Sequence, residues 1–190
     1  MGEVWEVETR PDREIIPPHI ENIIVIRNRR MGLMSDIETF IEQKMPPISG
    51  GVEKVFDGLA QNTNAGALYI AERTGLPERS TMFWIPDKPL QRVDDRKRIR
   101  YRYPADDVLP NRGPTLTFTG FQDPVREIPA GTLVRVSLAH WWRPAEMEEG
   151  EYRCFVQISG WFPCEITHNQ GQASPHQAVK QRYDYEIPKI

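Results

Sequence analysis

Seventeen prolines are spread through the 190 residues, and they limit what this chain can build more than any other feature. Proline fixes φ and removes a backbone donor, so it interrupts helices and is kept to strand edges, first positions and connections. A helical bundle or a doubly wound sheet needs long uninterrupted elements, which this spacing does not allow. Short β-rich stretches fill the gaps instead: "EVWEVETR", the run at residues 23–27, "ALYIAER", "STMFWIPD", "RIRYRYP", "PTLTFTGF", "GTLVRVSLAHWW" and "EYRCFVQISGWF". Turn-like segments such as "TGLPE", "QDPVREIPA" and "RPAEMEEG" separate them.

Two helices break the pattern. In "SDIETFIEQKM", Ser35 and Glu38 have capping-box spacing, and Ile37, Phe40 and Ile41 fall on one helical face. "GGVEKVFDGLA" spaces Val52, Val55, Phe56 and Leu59 for burial on a second, shorter helix. The fold class is therefore mostly β with minor α. Two packed Greek-key barrels of the oligonucleotide-binding type, about five strands each, account for both halves. The expected division is residues 1–94 for a barrel with the short helices, 95–165 for a second barrel and 166–190 for an irregular tail.

Six basic residues, Arg92, Arg96, Lys97, Arg98, Arg100 and Arg102, crowd into eleven positions. A strand sends successive side chains to opposite faces. Arg98, Arg100 and Arg102 should then share one face, and Ile99, Tyr101 and Tyr103 the other. Guanidiniums in a row meet phosphates as forked donors, and neighbouring rings stack on bases. The plainer explanation is a solvated edge paired with Asp94, Asp95, Asp106 and Asp107. Rings and charges on opposite faces also cannot serve one ligand unless the strand bulges or twists. In "LAHWWRP", Trp141 and Trp142 must likewise point apart, one toward the core and one toward a loop mouth beside His140 and Arg143. The same argument separates Phe83 from Trp84.

The order of these segments resembles the dual oligonucleotide-binding-fold domain of small prokaryotic proteins tied to nucleic-acid modification and genome-conflict systems. His19, Glu21 and Asn22 of "PPHIEN", Ser80, the strand at 98–103, Asp123 with Pro124, "VSL" at 136–138 and Cys154 carry the likeness, over residues 4–162. The resemblance implies a dual-barrel fold and a nucleic-acid context, without implying a reaction.

The net charge of −3 argues against a protein that coats nucleic acid through overall positive charge. Any such surface must be local. The longest aliphatic run, "IIVI", is far too short for a bilayer span, and the N-terminus carries no signal-peptide pattern. A cytoplasmic location without a membrane is expected. Cys154 and Cys164 lack the tight knuckle of zinc ribbons, so unpaired thiols and no metal or other cofactor are expected. Phosphate-loop, dinucleotide-binding, HExxH and GxSxG signatures are all missing. The clustered acids Glu146, Glu148, Glu149 and Glu151 fit repulsion at an exposed tip better than a cation site.

These readings converge on a non-enzymatic nucleic-acid-binding protein, DNA or RNA, serving as an accessory or subunit of a prokaryotic processing or defence complex. Its contacts would be to single strands or to the backbone, through Arg96, Lys97, Arg98, Arg100, Arg102, Tyr101, Tyr103, Trp141, Trp142 and Arg143. The alternative is a protein–protein interaction module whose aromatic rim and polar tail meet a protein partner.

Overall fold

The computed structural model of the protein describes residues 2–12, 14–95, 98–105, 112–143 and 150–162. Its fold is mostly β with short helical segments, as the proline spacing predicts. Two strands, β1 (Glu3–Pro11) and β2 (Ile23–Leu33), form a separate antiparallel ribbon. The helix α1 (Ile37–Lys44) follows. Ten further strands form the main sheet: β3 (Ile48–Gly50), β4 (Gln61–Asn62), β5 (Leu68–Ala71), β6 (Thr81–Pro86) and β7 (Leu90–Asp95), then β8 (Arg98–Arg102), β9 (Thr115–Phe118), β10 (Glu127–Ile128), β11 (Leu133–Leu138) and β12 (Arg153–Phe162).

Along the sheet the strands run β10-β7-β8-β9-β12-β11-β6-β3, with β5 pairing both β12 and β4. The long β12 is the hub, bonded to β11 and β5 antiparallel and to β9 parallel. Residues 94 and 95 lie inside β7, which pairs with β8, so the division expected there falls within a hairpin. One hydrophobic cluster draws side chains from Val52 through to Trp161.

Period-two alternation builds that core. On β12, Cys154, Val156 and Ile158 point inward while Phe155 and Gln157 point out. A register shift in the β11–β12 pairing then lets Trp161, and not Gly160, turn inward opposite Val134. Trp84 is fully buried and its indole N–H donates to the Gly50 carbonyl at 2.9 Å, tying β6 to β3. Phe83, its neighbour, is only half-buried on the other face.

Two local expectations are corrected. The α1 N-cap is Asp36, whose carboxylate accepts from the Thr39 N–H at 3.1 Å, in place of Ser35. Residues 52–58 form a kinked 3-10 segment and not an α-helix, because Phe56 and Asp57 adopt left-handed backbone (φ 51° and 60°). The burial itself is as read from the spacing: Val52, Val55 and Phe56 are buried. A left-handed non-glycine residue costs about 1–2 kcal/mol, and placing the Phe56 ring in the core offsets it.

The ribbon is different in kind. Cross-strand pairs Glu6–Arg29 (2.9 Å), Glu3–Arg30 (3.1 Å) and Glu8–Arg27 (3.8 Å) lace it, yet nearly all of its side chains are exposed. Its register places Trp5, Val7, Val25 and Ile23 on one face. Among the described residues, no helix is long and apolar enough to cross a membrane.

Candidate nucleic-acid interface

β8 sits between β7 and β9, and its alternation is the one the sequence demands. Tyr101 and Tyr103 turn inward, 0% and 7% exposed, while Arg98 and Arg100 stay on the outer face. Each phenol finds a hydrogen-bond partner: Tyr101 donates to the Val125 carbonyl at 2.9 Å, and Tyr103 to the Asp87 carboxylate at 2.7 Å. Burial, followed by the Asp87 contact, raises the Tyr103 pKa well above the ordinary phenol range. Tyr101 and Tyr103 are therefore core residues and are removed from the set of stacking candidates.

The acids that threaten to neutralise the arginine face are in part accounted for. Asp94 lies opposite Ile99 in the β7–β8 register, hence on the other side of the sheet from Arg98 and Arg100. There it holds the Arg92 guanidinium through two hydrogen bonds of 2.8 and 3.1 Å. Arg92 thus belongs to that side too, directly opposite Tyr101. Asp106 and Asp107 lie outside the described residues, as do Arg96, Lys97 and the acids at 146, 148 and 149.

The outer face of β8 forms one wall of a groove of about 510 Å³. Arg98 and Arg100 line that wall. The connection after β11 supplies the opposite wall with His140, Trp141 and Trp142. Thr117 of β9 and Phe155 and Gln157 of β12 make the floor; Thr117 and Gln157 are paired partners across the parallel β9–β12 ladder. No carboxylate is among the described residues that line it, although Asp95 is the register partner of Arg98 in the β7–β8 ladder. The conflict between charges and rings on one strand is resolved by topology: the rings come from a different part of the sheet.

Each aromatic is held in place. Trp142 exchanges two backbone hydrogen bonds with Arg153, both 2.9 Å, and its ring packs 6.0 Å from that of Phe155. It remains 52% exposed, so a ring face is open to a ligand. Trp141 points the other way, half-buried against the core, with its indole N–H donating to the Pro17 carbonyl at 2.7 Å. Arg143 stacks on the Tyr152 ring at 4.6 Å and does not line the groove; Arg102 lies further along β8, opposite Gln91 and Thr115. Of the ten residues singled out from sequence, Arg98, Arg100, Trp141 and Trp142 come together. Thr117, Phe155 and Gln157 were missed, although the outward positions between Cys154, Val156 and Ile158 point to the last two.

Among the described residues no three His, Cys, Asp or Glu side chains are grouped to hold a metal ion. The Cys154 thiol is buried, and that burial pushes its pKa up to about 12, so it stays protonated and a poor nucleophile. What the groove offers is fixed positive charge, an open indole face and neutral hydrogen-bonding groups. That combination can hold an anionic ligand bearing planar rings.

A mostly β chain whose strands join in this order has a β-barrel-like fold. The model of the dual OB-containing domain family matches residues 1–161, and the chain belongs to that family. No curated protein and no solved structure matches it.

Proposed function

We propose that this protein binds single-stranded nucleic acid in the groove between β8 and the Trp141–Trp142 segment, without catalysis of its own. Phosphates meet Arg98 and Arg100, and an unstacked base lies on Trp142 with Gln157 and Thr117 within reach of its edge. The convergence of Arg98 and Arg100 with Trp142 on one cavity carries this reading. A duplex keeps its bases stacked on one another and offers Trp142 no ring face, whereas a single strand does. Family membership supports the same ligand class. In the cell the chain acts as an accessory or subunit of a prokaryotic nucleic-acid-processing or defence complex, in keeping with its membership of the dual OB-containing domain family.

Fluorescence anisotropy with labelled oligonucleotides tests the binding. Two phosphates neutralised on a single strand give a log–log salt slope of about −1.4, hence roughly sevenfold weaker binding at 200 than at 50 mM salt. Replacing Arg98 by Ala should make the slope shallower by about 0.7. Absence of binding to single strands at low salt would sink the proposal. It would favour an interaction module in its place, for which the exposed apolar face of the β1–β2 ribbon is the supporting observation.

A further inference from the structure

The segment joining β1 to β2 returns to the main sheet at residues 17–21, and three alternate residues there grip it. The Pro17 carbonyl accepts the Trp141 indole N–H. Glu21 accepts both the backbone N–H and the hydroxyl of Ser80, at 2.7 and 2.8 Å. Between them His19 is 5% exposed, its Nε2 3.9 Å from the Cys154 sulfur and its ring 4.8 Å from that of His140. His140 and Trp141 are also wall residues of the groove. One buried imidazole thus sits where the loop, the sheet and the candidate site meet.

The groups facing His19 give a positive charge there little to rest on. From the segment after β11 comes His140, itself a base. From β12 comes Cys154, a buried neutral thiol. From its own loop comes Glu21, whose carboxylate oxygen is already committed to Ser80. A proton on His19 would therefore be a buried cation beside another titratable ring, with its nearest acid already engaged.

We propose that His19 and His140 form a proton-operated latch: protonating His19 frees the 17–21 loop from the sheet and, through the Trp141–Pro17 bond, undoes one wall of the groove. As regulation of ligand binding, the inference rests on the nucleic-acid reading above; as a loop-release device it does not. Burial and then the charge of His140 hold the His19 pKa below the ordinary histidine value, outweighing the Ala139 backbone bond and Glu21. A lowered pKa in the closed form means that closure has its full strength above about pH 6.5 and loses it as the pH falls below that value toward the closed-form pKa. One unit below 6.5 the closed-to-open ratio falls by up to about tenfold.

Trp141 also lines a second, largely apolar cavity of about 400 Å³ with Ile16, Pro17, Leu76 and Tyr152. Opening the latch removes the contact that holds this indole between the two cavities.

The indole N–H of Trp141 reports on the latch directly in a proton–nitrogen NMR titration of the full chain from about pH 8 to 5. In the wild type its signal should move with a midpoint below about 6.5 and should be flat in His19→Gln. In His140→Gln the midpoint should rise, since the second cause of the lowered His19 pKa is gone; this variant keeps the test alive if His19→Gln does not fold. An indole signal that is flat in the wild type, that moves equally in His19→Gln, or whose midpoint ignores His140→Gln overturns the latch. For regulation, oligonucleotide affinity is compared at about pH 7.5 and 5.5. The wild type should lose about fivefold or more relative to His19→Gln. Equal losses in the two proteins overturn the regulatory step. If the indole titrates as described and no oligonucleotide binds at either pH, the loop release stands and the nucleic-acid reading falls.

Discussion

The β1–β2 ribbon and the main sheet are made largely of the same material: antiparallel strands whose sequences alternate. In β11 and β12 alternation ends in burial, with Val134, Val136, Val156 and Ile158 at 0–1% exposure. In the ribbon the same arrangement leaves Trp5, Val7, Ile23 and Val25 open to solvent. Alternation decides which side chains share a face; burial needs a second layer to cover that face. The main sheet curls over itself and over the 52–58 segment, and the ribbon has no such cover among the described residues. Its three exposed ion pairs contribute little, about 0–1 kcal/mol each. A two-stranded hairpin is marginal alone, so the ribbon leans on its ends. At one, the Met34 N–H donates to the Gly2 carbonyl at 2.6 Å; at the other stand Pro17, His19 and Glu21.

This contrast can be broken or sharpened by substitution. The largest effect should come from Trp84→Ala, which empties the centre of the main sheet and abandons the Gly50 carbonyl; about 3–5 kcal/mol should be lost in denaturant unfolding. A loss under about 1 kcal/mol would mean that the sheet does not close around this side chain. Next is Trp142→Ala, which should weaken single-strand binding by about 1–3 kcal/mol through lost stacking while shifting the unfolding midpoint little. Equal damage to stability and binding would make Trp142 a packing residue.

Glu21→Ala should cost about 1–2 kcal/mol, and locally, since it leaves the buried Ser80 donors without their acceptor. Hydrogen exchange should then speed up roughly tenfold in residues 16–22 and in the ribbon, with core amides of β11 and β12 unchanged. Uniform acceleration across the chain would show that ribbon and sheet unfold as one unit. The smallest effect belongs to Glu6→Gln in the ribbon, at most about 0.5 kcal/mol. A change above about 1 kcal/mol there would show that the ribbon is covered in solution.

Much of the main sheet was legible because its signal is local. Proline spacing excludes long helices, and period two locates β5, β6, β8, β9, β11 and β12 and separates Trp84 from Phe83. Alternation also put Tyr101 and Tyr103 on the face opposite the arginines; only their burial, and their partners Val125 and Asp87, distant in sequence, settled that neither ring meets a ligand. β7 went unread because charges crowd "LQRVDDRKRIR", and Arg92 and Asp94 looked like solvated flanks instead of a pair on a strand. The failure at Phe56 and Asp57 has another cause, since helical spacing predicts which residues are buried and not whether the backbone between them stays right-handed. The groove was half visible. Its arginines and tryptophans carry type and spacing signals, but their meeting depends on the parallel β9–β12 ladder, which no local pattern reports. The His19–His140 contact spans more than a hundred positions and left only the motif "PPHIEN" as a trace.

The place of β12 in the sheet has a consequence for how the protein is born. This strand, ending at Phe162, bridges β5, β9 and β11. A ribosome delivers it after every strand it joins, so those earlier strands emerge with open edges and wait for it. Such edges recruit stray chains. Holding the ribosome while β12 is still inside its exit tunnel should therefore raise the aggregated fraction.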